Sequence, residues 1–404
     1  MFFGSSTKKR NKTTNHIVID IGSGSVGAGL LVLGSSGKED DFALTKIIRK
    51  EIRIDEGANL DDFVLVMNKS LKDCLSLVTA NSGKVDDIHI FLSSPWYASQ
   101  SRDVKIKKEK PFTITKKYLV ELLKKEETIF ENTFLKKYEG MTSGIKIIER
   151  KVLDTKINGY HTPDAVGKES MLFEISLFFS MSPKDIIDSI YEIAHKICQR
   201  SKIYFHSSSF SMYMSLRDLL LEKESFLICD IGSELTEVSS VSGGVLIQSS
   251  SFPVGTEVFI KEVMKNENKN KLESLSSIRM HSEDTLSDDE NERFSKSIKG
   301  AEDKWTKSFT KALESISTAG YVPRHIYLFT KSDTKAYFER LIKNEPLYSK
   351  QGVSPFSVIP VDSMFLSELV KVSSSENRDV SLMISSYYMV KYINHHQLQY
   401  AENY

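Results

Sequence analysis

His16-Ile-Val-Ile-Asp20-Ile-Gly-Ser-Gly-Ser25 is a short apolar run, ending on a carboxylate and a glycine-serine turn, and Ala28 to Leu33 beyond it reads as a second strand. This pattern predicts a β-hairpin. It returns in the second half as Phe226-Leu-Ile-Cys-Asp230-Ile-Gly-Ser233, followed by Leu235 to Val241, a Ser242-Gly243-Gly244 turn and a strand from Val245 to Ser249. Two strand-Asp-Ile-Gly-Ser hairpins so placed predict a duplicated fold whose halves face each other across a cleft. Backbone N–H groups at a glycine-serine tip can cradle phosphate, and a strand-end aspartate can hold Mg2+ through water. A strand followed by an Asp-x-Gly turn also forms for structural reasons alone, so both readings stay open at this level.

The rest of the chain bounds what such a cleft can serve. Its 404 residues carry 54 Lys+Arg against 54 Asp+Glu, and 40% are apolar, which suits two to four folded domains and argues against wholesale disorder. A neutral chain with no interleaved basic and aromatic stripe is not expected to bind nucleic acid. The longest apolar run, Met171 to Met181, is far below the ~20 residues that span a bilayer and contains Glu174. Polar Thr13, Thr14 and Asn15 follow the basic cluster Lys8 to Lys12, so no signal-peptide core is expected, and the chain reads as cytoplasmic. Cys74, Cys198 and Cys229 are odd in number and set in apolar segments, as reduced core thiols would be. His395 and His396 read as part of a polar tail rather than a zinc site.

Periodicity divides the chain into a flexible basic arm (1–15), the first part of lobe one (16–42), an inserted α+β unit (43–200, its end returning to lobe one), a connecting helix (201–225), lobe two (226–393) and a polar tail (394–404). Within lobe two, 264–303 reads as a polar insertion of helices with a loose, solvated connection. Ser182-Pro183 is a helix start, with serine as cap. Asp86, Asp87 and His89 flank a strand and read as surface polarity. Pro95-Trp96-Tyr97 reads as core packing, with a peptide-binding edge as the sharper hypothesis.

Ile17-Val-Ile-Asp20-Ile-Gly-Ser-Gly-Ser-Val26 and Leu227-Ile-Cys-Asp230-Ile-Gly-Ser-Glu-Leu-Thr236 resemble the two phosphate motifs of the actin-like ATPase superfamily, in the branch holding the cell-division protein FtsA and the type IV pilus assembly protein PilM. Phe252-Pro-Val-Gly255-Thr256 and Ser207-Ser-Ser-Phe-Ser-Met-Tyr213 resemble the segments that follow the second hairpin and connect the lobes. The resemblance implies an α/β, two-lobed actin-like (ribonuclease H-like) fold with an inserted α+β domain of SHS2 type. It implies ATP and Mg2+ as cofactors, with Asp20, Gly22, Ser23, Gly24, Ser25, Asp230, Gly232, Ser233, Thr236, Gly255 and Thr256 around the nucleotide and Asp20 and Asp230 holding Mg2+ through water. The implied partners are peptide segments of membrane-bound assembly proteins in a pilus or division machine. Self-association into filaments is also implied, with the membrane reached only indirectly; the C-terminal residues 394–404 contain no Lys or Arg, unlike the basic anchors of FtsA.

Three departures point to a degenerate ATP site and a scaffold rather than an enzyme. Gly27 stands where many relatives have a phosphate-contacting lysine, Glu234 where they have glycine, and Phe329-Thr330-Lys331-Ser332-Asp333 where they have a glycine pair beside the adenine. A carboxylate ~4 Å from a phosphate charge costs about 4 kcal/mol at an effective dielectric of 20. The alternative is an active ATP-hydrolysing filament protein or a sugar-kinase-like phosphotransferase, with Asp230 and Glu237 as its catalytic carboxylates.

Overall fold

The computed structural model describes residues 13–34, 41–53, 59–137, 144–220, 225–317, 322–344, 356–373 and 378–393. The first hairpin is β1 (Thr14–Ile21) and β2 (Ser25–Leu33), and the strand thus starts two residues earlier than the expected arm allows. With β3 (Phe42–Glu51), β4 (Asp87–Leu92), β9 (Lys202–Ser207) and the two-residue β15 (Lys371–Val372) it makes a six-stranded sheet ordered β15-β3-β2-β1-β4-β9. Ile17, Val18, Ile19 and Ile21 are fully buried, as the unbroken apolar run requires of a strand covered on both faces. The second hairpin, β10 (Phe226–Ile231) and β11 (Thr236–Ser242), combines with β12 (Val245–Phe252), β13 (His325–Phe329) and β14 (Ser357–Pro360) in the order β12-β11-β10-β13-β14. In both sheets the Asp-bearing strand pairs antiparallel with its hairpin partner and parallel with the next strand inward. The sequence echo is therefore a topological repeat.

A third sheet of four strands, ordered β5-β8-β6-β7, consists of β5 (Ala98–Thr113), β6 (Ile145–Ile157), β7 (Tyr160–His161) and β8 (Glu169–Pro183). Helix α2 (Lys116–Lys137) covers it through Leu119, Leu123, Phe130 and Phe134. Only 98–183 build this unit. The start at 43 read from the sequence is corrected, because β3, β4 and the helix α1 (Leu60–Thr79) pack on the first sheet, and α3 (Lys184–Ile197) packs there too, in line with the expected return to lobe one. β3 completes a meander with β2, and β4 returns parallel to β1 by way of α1, so their apolar residues fill lobe one. The connecting segment is likewise shorter than expected: 202–207 are strand, and α4 spans Ser208–Leu219. At α3 it is Pro183 that precedes the helix, while the buried Ser182 hydroxyl donates to the Trp96 carbonyl (2.7 Å) rather than capping.

Lobe two stacks α5 (Thr256–Glu267), α6 (Lys271–Ser282) and α7 (Asp288–Ile316) on its sheet. The helices expected across 264–303 are present and are joined by a largely exposed link at 283–287, but the stretch supplies more of the core than its many charges suggest. Phe294, Ile298, Ala301, Trp305, Phe309, Leu313 and Ile316 recur at three- and four-residue spacing and are all buried, and a Ser287–Glu290 capping box starts the helix. A 3-10 turn (Ser332–Thr334) leads to α8 (Lys335–Lys343). Helix α9 (Val380–Tyr388) and a π-helical turn (Met389–Ile393) end the described chain, and the tail 394–404 with His395 and His396 lies outside it. α9 joins a core shared by both lobes, in which Val18, Phe91, Phe226, Ile228, Phe210 and Tyr388 come together below the hairpins. Cys74 and Cys229 are buried free thiols, and among the described residues no helix is long and apolar enough to cross a membrane.

Candidate functional site

The two hairpins meet tip to tip. Asp20 and Asp230, one at the end of each first strand, lie close enough that the charge of Asp20 helps to raise the pKa of Asp230. The Ser23 hydroxyl accepts the backbone N–H of Glu234 from the opposite hairpin (3.1 Å). Gly24 lies directly against the Ser233 side chain, so that a Cβ at Gly24 would fall 2.0 Å from Ser233 Oγ. Gly232 similarly faces Ser23 Oγ. N–H groups of the kind that would cradle phosphate are thus partly spent between the lobes.

The cation missing at Gly27 comes from the neighbouring strand. Gly27 pairs with Arg49 across β2 and β3, and a Cβ at Gly27 would meet Arg49 Nη2 at 2.5 Å, so the glycine makes room for the guanidinium. Arg49 donates from Nη2 to Asp20 (2.8 Å), from Nη1 to Ser25 Oγ (2.8 Å), and from Nε and Nη2 to the two oxygens of Asp379 (2.5 and 2.9 Å). Asp379 in turn caps α9 by accepting Leu382 N–H (3.1 Å). Burial pushes the Asp20 carboxyl up despite Arg49, whereas for Asp379 the guanidinium overcomes burial and holds it low. Burial alone would lower the Arg49 pKa, but the two carboxylates raise it. Arg49 and Asp379 join the candidate site from outside the sequence motifs; it is the β2–β3 register, a property of the fold, that sets Arg49 opposite Gly27.

On the other lobe, Asp230 and Glu237 are register partners of β10 and β11 and are both partly exposed towards the gap. Withdrawal from water, then the charges of Glu237 and Asp20, push Asp230 up to about 8. Burial also raises Glu237, although Ser94 Oγ (2.8 Å) and the Tyr97 hydroxyl (3.2 Å) donate to it. The turn carrying them is not a peptide-binding edge: Trp96 is fully buried, with Nε1 donating to the Gly22 carbonyl (2.9 Å), and the Tyr97 hydroxyl also lies within hydrogen-bond distance of Ser209 Oγ (2.6 Å). Ser94 to Tyr97 therefore bracket both hairpins from below.

The remaining residues of the motif do structural work. Gly255 lets the start of α5 lie against the second hairpin, where Thr256 and Glu257 N–H donate to the carbonyls of Gly232 and Ser233 (2.9 Å each). Gly22 N–H closes the first turn on the Ser25 carbonyl (3.0 Å). Thr236 is fully buried, donating to the Val254 carbonyl (2.7 Å) and accepting from Trp305 Nε1 (3.1 Å). The Thr236→Val variant strands both partners and is expected to cost about 1–3 kcal/mol, read by urea unfolding followed through tryptophan fluorescence; unchanged stability would remove this bridging role. Lys331, in the glycine-free segment, reaches Ser233 Oγ (3.4 Å), and its pKa is lowered by burial and by Lys271.

No family model and no curated protein matches the sequence. Among solved structures, a PilM-PilN type IV pilus biogenesis complex is similar at TM-score 0.58 and 14% identity, over 93% of this chain and 95% of that one. A Bacteroides thetaiotaomicron protein with an actin-like ATPase fold and unknown function gives TM-score 0.43 at 10% identity over 89% and 94%. The ethanolamine utilization protein EutJ from Carboxydothermus hydrogenoformans gives 0.42 at 8% over 94% and 89%. With paired sheets, opposed Asp hairpins and a match to the pilus complex along nearly its whole length, the chain has the two-lobed actin-like ATPase fold.

Proposed function

We propose that this protein is an actin-like assembly scaffold that docks a peptide segment of a membrane-bound partner, in pilus assembly or cell division, and whose ATP site is degenerate. The observation that carries the degenerate site is the direct contact of the hairpin tips, Ser23 to Glu234 N–H and Gly24 to Ser233, across the gap a triphosphate would fill. Arg49 adds to it, since its guanidinium is already engaged by Asp20 and Asp379. The pilus reading rests on the structural likeness to the PilM-PilN complex. The four-stranded unit, which we equate with an SHS2-type domain, is the element we expect to dock the peptide.

Thermal unfolding in a constant millimolar Mg2+ background, with and without millimolar ATP, tests the nucleotide part. No rise in melting temperature is expected; a ligand at a hundred times its Kd would add about 2.7 kcal/mol, and a shift of that order would overturn the reading. Titration with peptides from membrane-bound assembly proteins encoded beside this gene tests the scaffold part, where saturable binding is expected. The second reading, an active ATPase, is favoured by the raised carboxylates Asp230 and Glu237 facing the gap. Steady phosphate release abolished by Asp230→Asn would establish it instead.

A further inference from the structure

Away from the hairpins, the first sheet gathers imidazoles and carboxylates on one face. In the parallel register His16 on β1 lies opposite Asp87 on β4, and Phe91 on β4 lies opposite His206 on β9. His16, Asp87 and His89 each offer one ligand atom, all within 4.8 Å of one another. His16 is 6% and His89 2% exposed, so the sequence reading of this strand as surface polarity is corrected.

One nitrogen of each ring already has a polar neighbour. Nε2 of His16 is 3.0 Å from Thr14 Oγ1, and Nδ1 of His89 is 3.2 Å from His206 Nε2. Nδ1 of His16 is buried without a hydrogen-bond partner and lies 3.4 Å from an Asp87 oxygen. In the tautomer that donates Nε2–H to Thr14 Oγ1, the Nδ1 lone pair faces the Asp87 carboxylate, a pairing that a cation between them would turn favourable. An outer partner on the second nitrogen is also what orients metal-binding histidines. The chain continues outward from His206, whose Nδ1 is 3.8 Å from Glu149 Oε1 on the third sheet.

We propose that His16, Asp87 and His89 form a site for a divalent transition-metal ion, with Zn2+ the best match to two neutral imidazoles and one carboxylate. Bonds of about 2.0–2.2 Å require the three side chains to draw together modestly, and the exposed side of Asp87 leaves a fourth position for water. The ion would tie β1 to β4 and, through His206 and Glu149, fix how the four-stranded unit sits on lobe one.

The test is titration of the full chain, stripped with EDTA, with Co2+ and then Zn2+. One equivalent of Co2+ is expected to give visible d–d absorption that one equivalent of Zn2+ displaces, and Zn2+ is expected to raise the melting temperature. His16→Gln should weaken binding at least tenfold. Asp87→Asn, at a partly exposed position that leaves the core intact, should do the same while melting like the unmodified chain without metal. Absence of saturable binding, or equal affinity in Asp87→Asn, would overturn the proposal.

Discussion

Arg49→Met is expected to destabilise the protein by about 3 kcal/mol, the low end of the range for stripping a buried ion pair of one partner, because the Arg49 side chain is itself 31% exposed and the pair is partly screened. Methionine keeps much of the volume but leaves Asp20, 5% exposed, and Asp379, whose side chain is 12% exposed, facing each other without a cation. Both carboxyls would then titrate above their unfolded values. A carboxylate raised in this way stabilises the fold fully only below its unfolded pKa and loses that contribution as pH rises, so the variant should be worst at high pH. In the parent, Asp379 behaves oppositely. Its folded pKa is depressed, and its contribution is present at neutral pH and lost as acid protonates it. Urea unfolding of parent and variant at pH 5 and pH 8 should therefore show a gap that widens with pH. A gap below about 0.5 kcal/mol at both would mean that Arg49 does not hold the first hairpin to α9.

What sequence reading reached and what it missed follow from how local each signal is. The hairpins were legible because a buried strand, an aspartate and a glycine turn are adjacent in the chain, and their repetition pointed to two matching sheets. The 43–97 segment was misassigned because a strand and helix look the same whether they extend the first sheet or found another; that choice is made by pairing with β1 and β2. Likewise 264–303 shows many charges in sequence, yet Phe294, Ile298 and Ala301 supply the apolar stripe that seats it. Arg49, Asp379 and Ser94 lie outside every motif, and Tyr97 reads as core packing, because each acts across a long separation in the chain. Gly27 reads in the sequence as a missing cation; the fold sets the Arg49 guanidinium beside it from the paired strand.

Asp230→Asn is expected to stabilise the protein at pH 8 by about 2 kcal/mol, after discounting for the partial exposure of the site. Burial first, then Glu237 and Asp20, push the Asp230 carboxyl up to about 8, against ~3.9 in an unfolded chain. Between those values the folded state binds a proton that the unfolded state lacks, so the Asp230 contribution falls as pH climbs from 4 to 8 and is gone above the folded value. Asparagine cannot ionise, so the variant should show a shallower decline of stability over this window. Glu237 titrates with its neighbour, and part of the slope should survive on it. An identical pH profile in parent and variant would show that Asp230 is not held uncharged. Mg2+ sharpens the result. If Asp20 and Asp230 hold the ion through water, millimolar Mg2+ without nucleotide should raise the stability of the parent at pH 8 and leave Asp230→Asn unmoved. A cation site that works without a triphosphate would fit a cleft whose tips are already joined by Ser23 and Glu234, because the carboxylates would bias how the lobes close while the phosphate contacts are made within the protein.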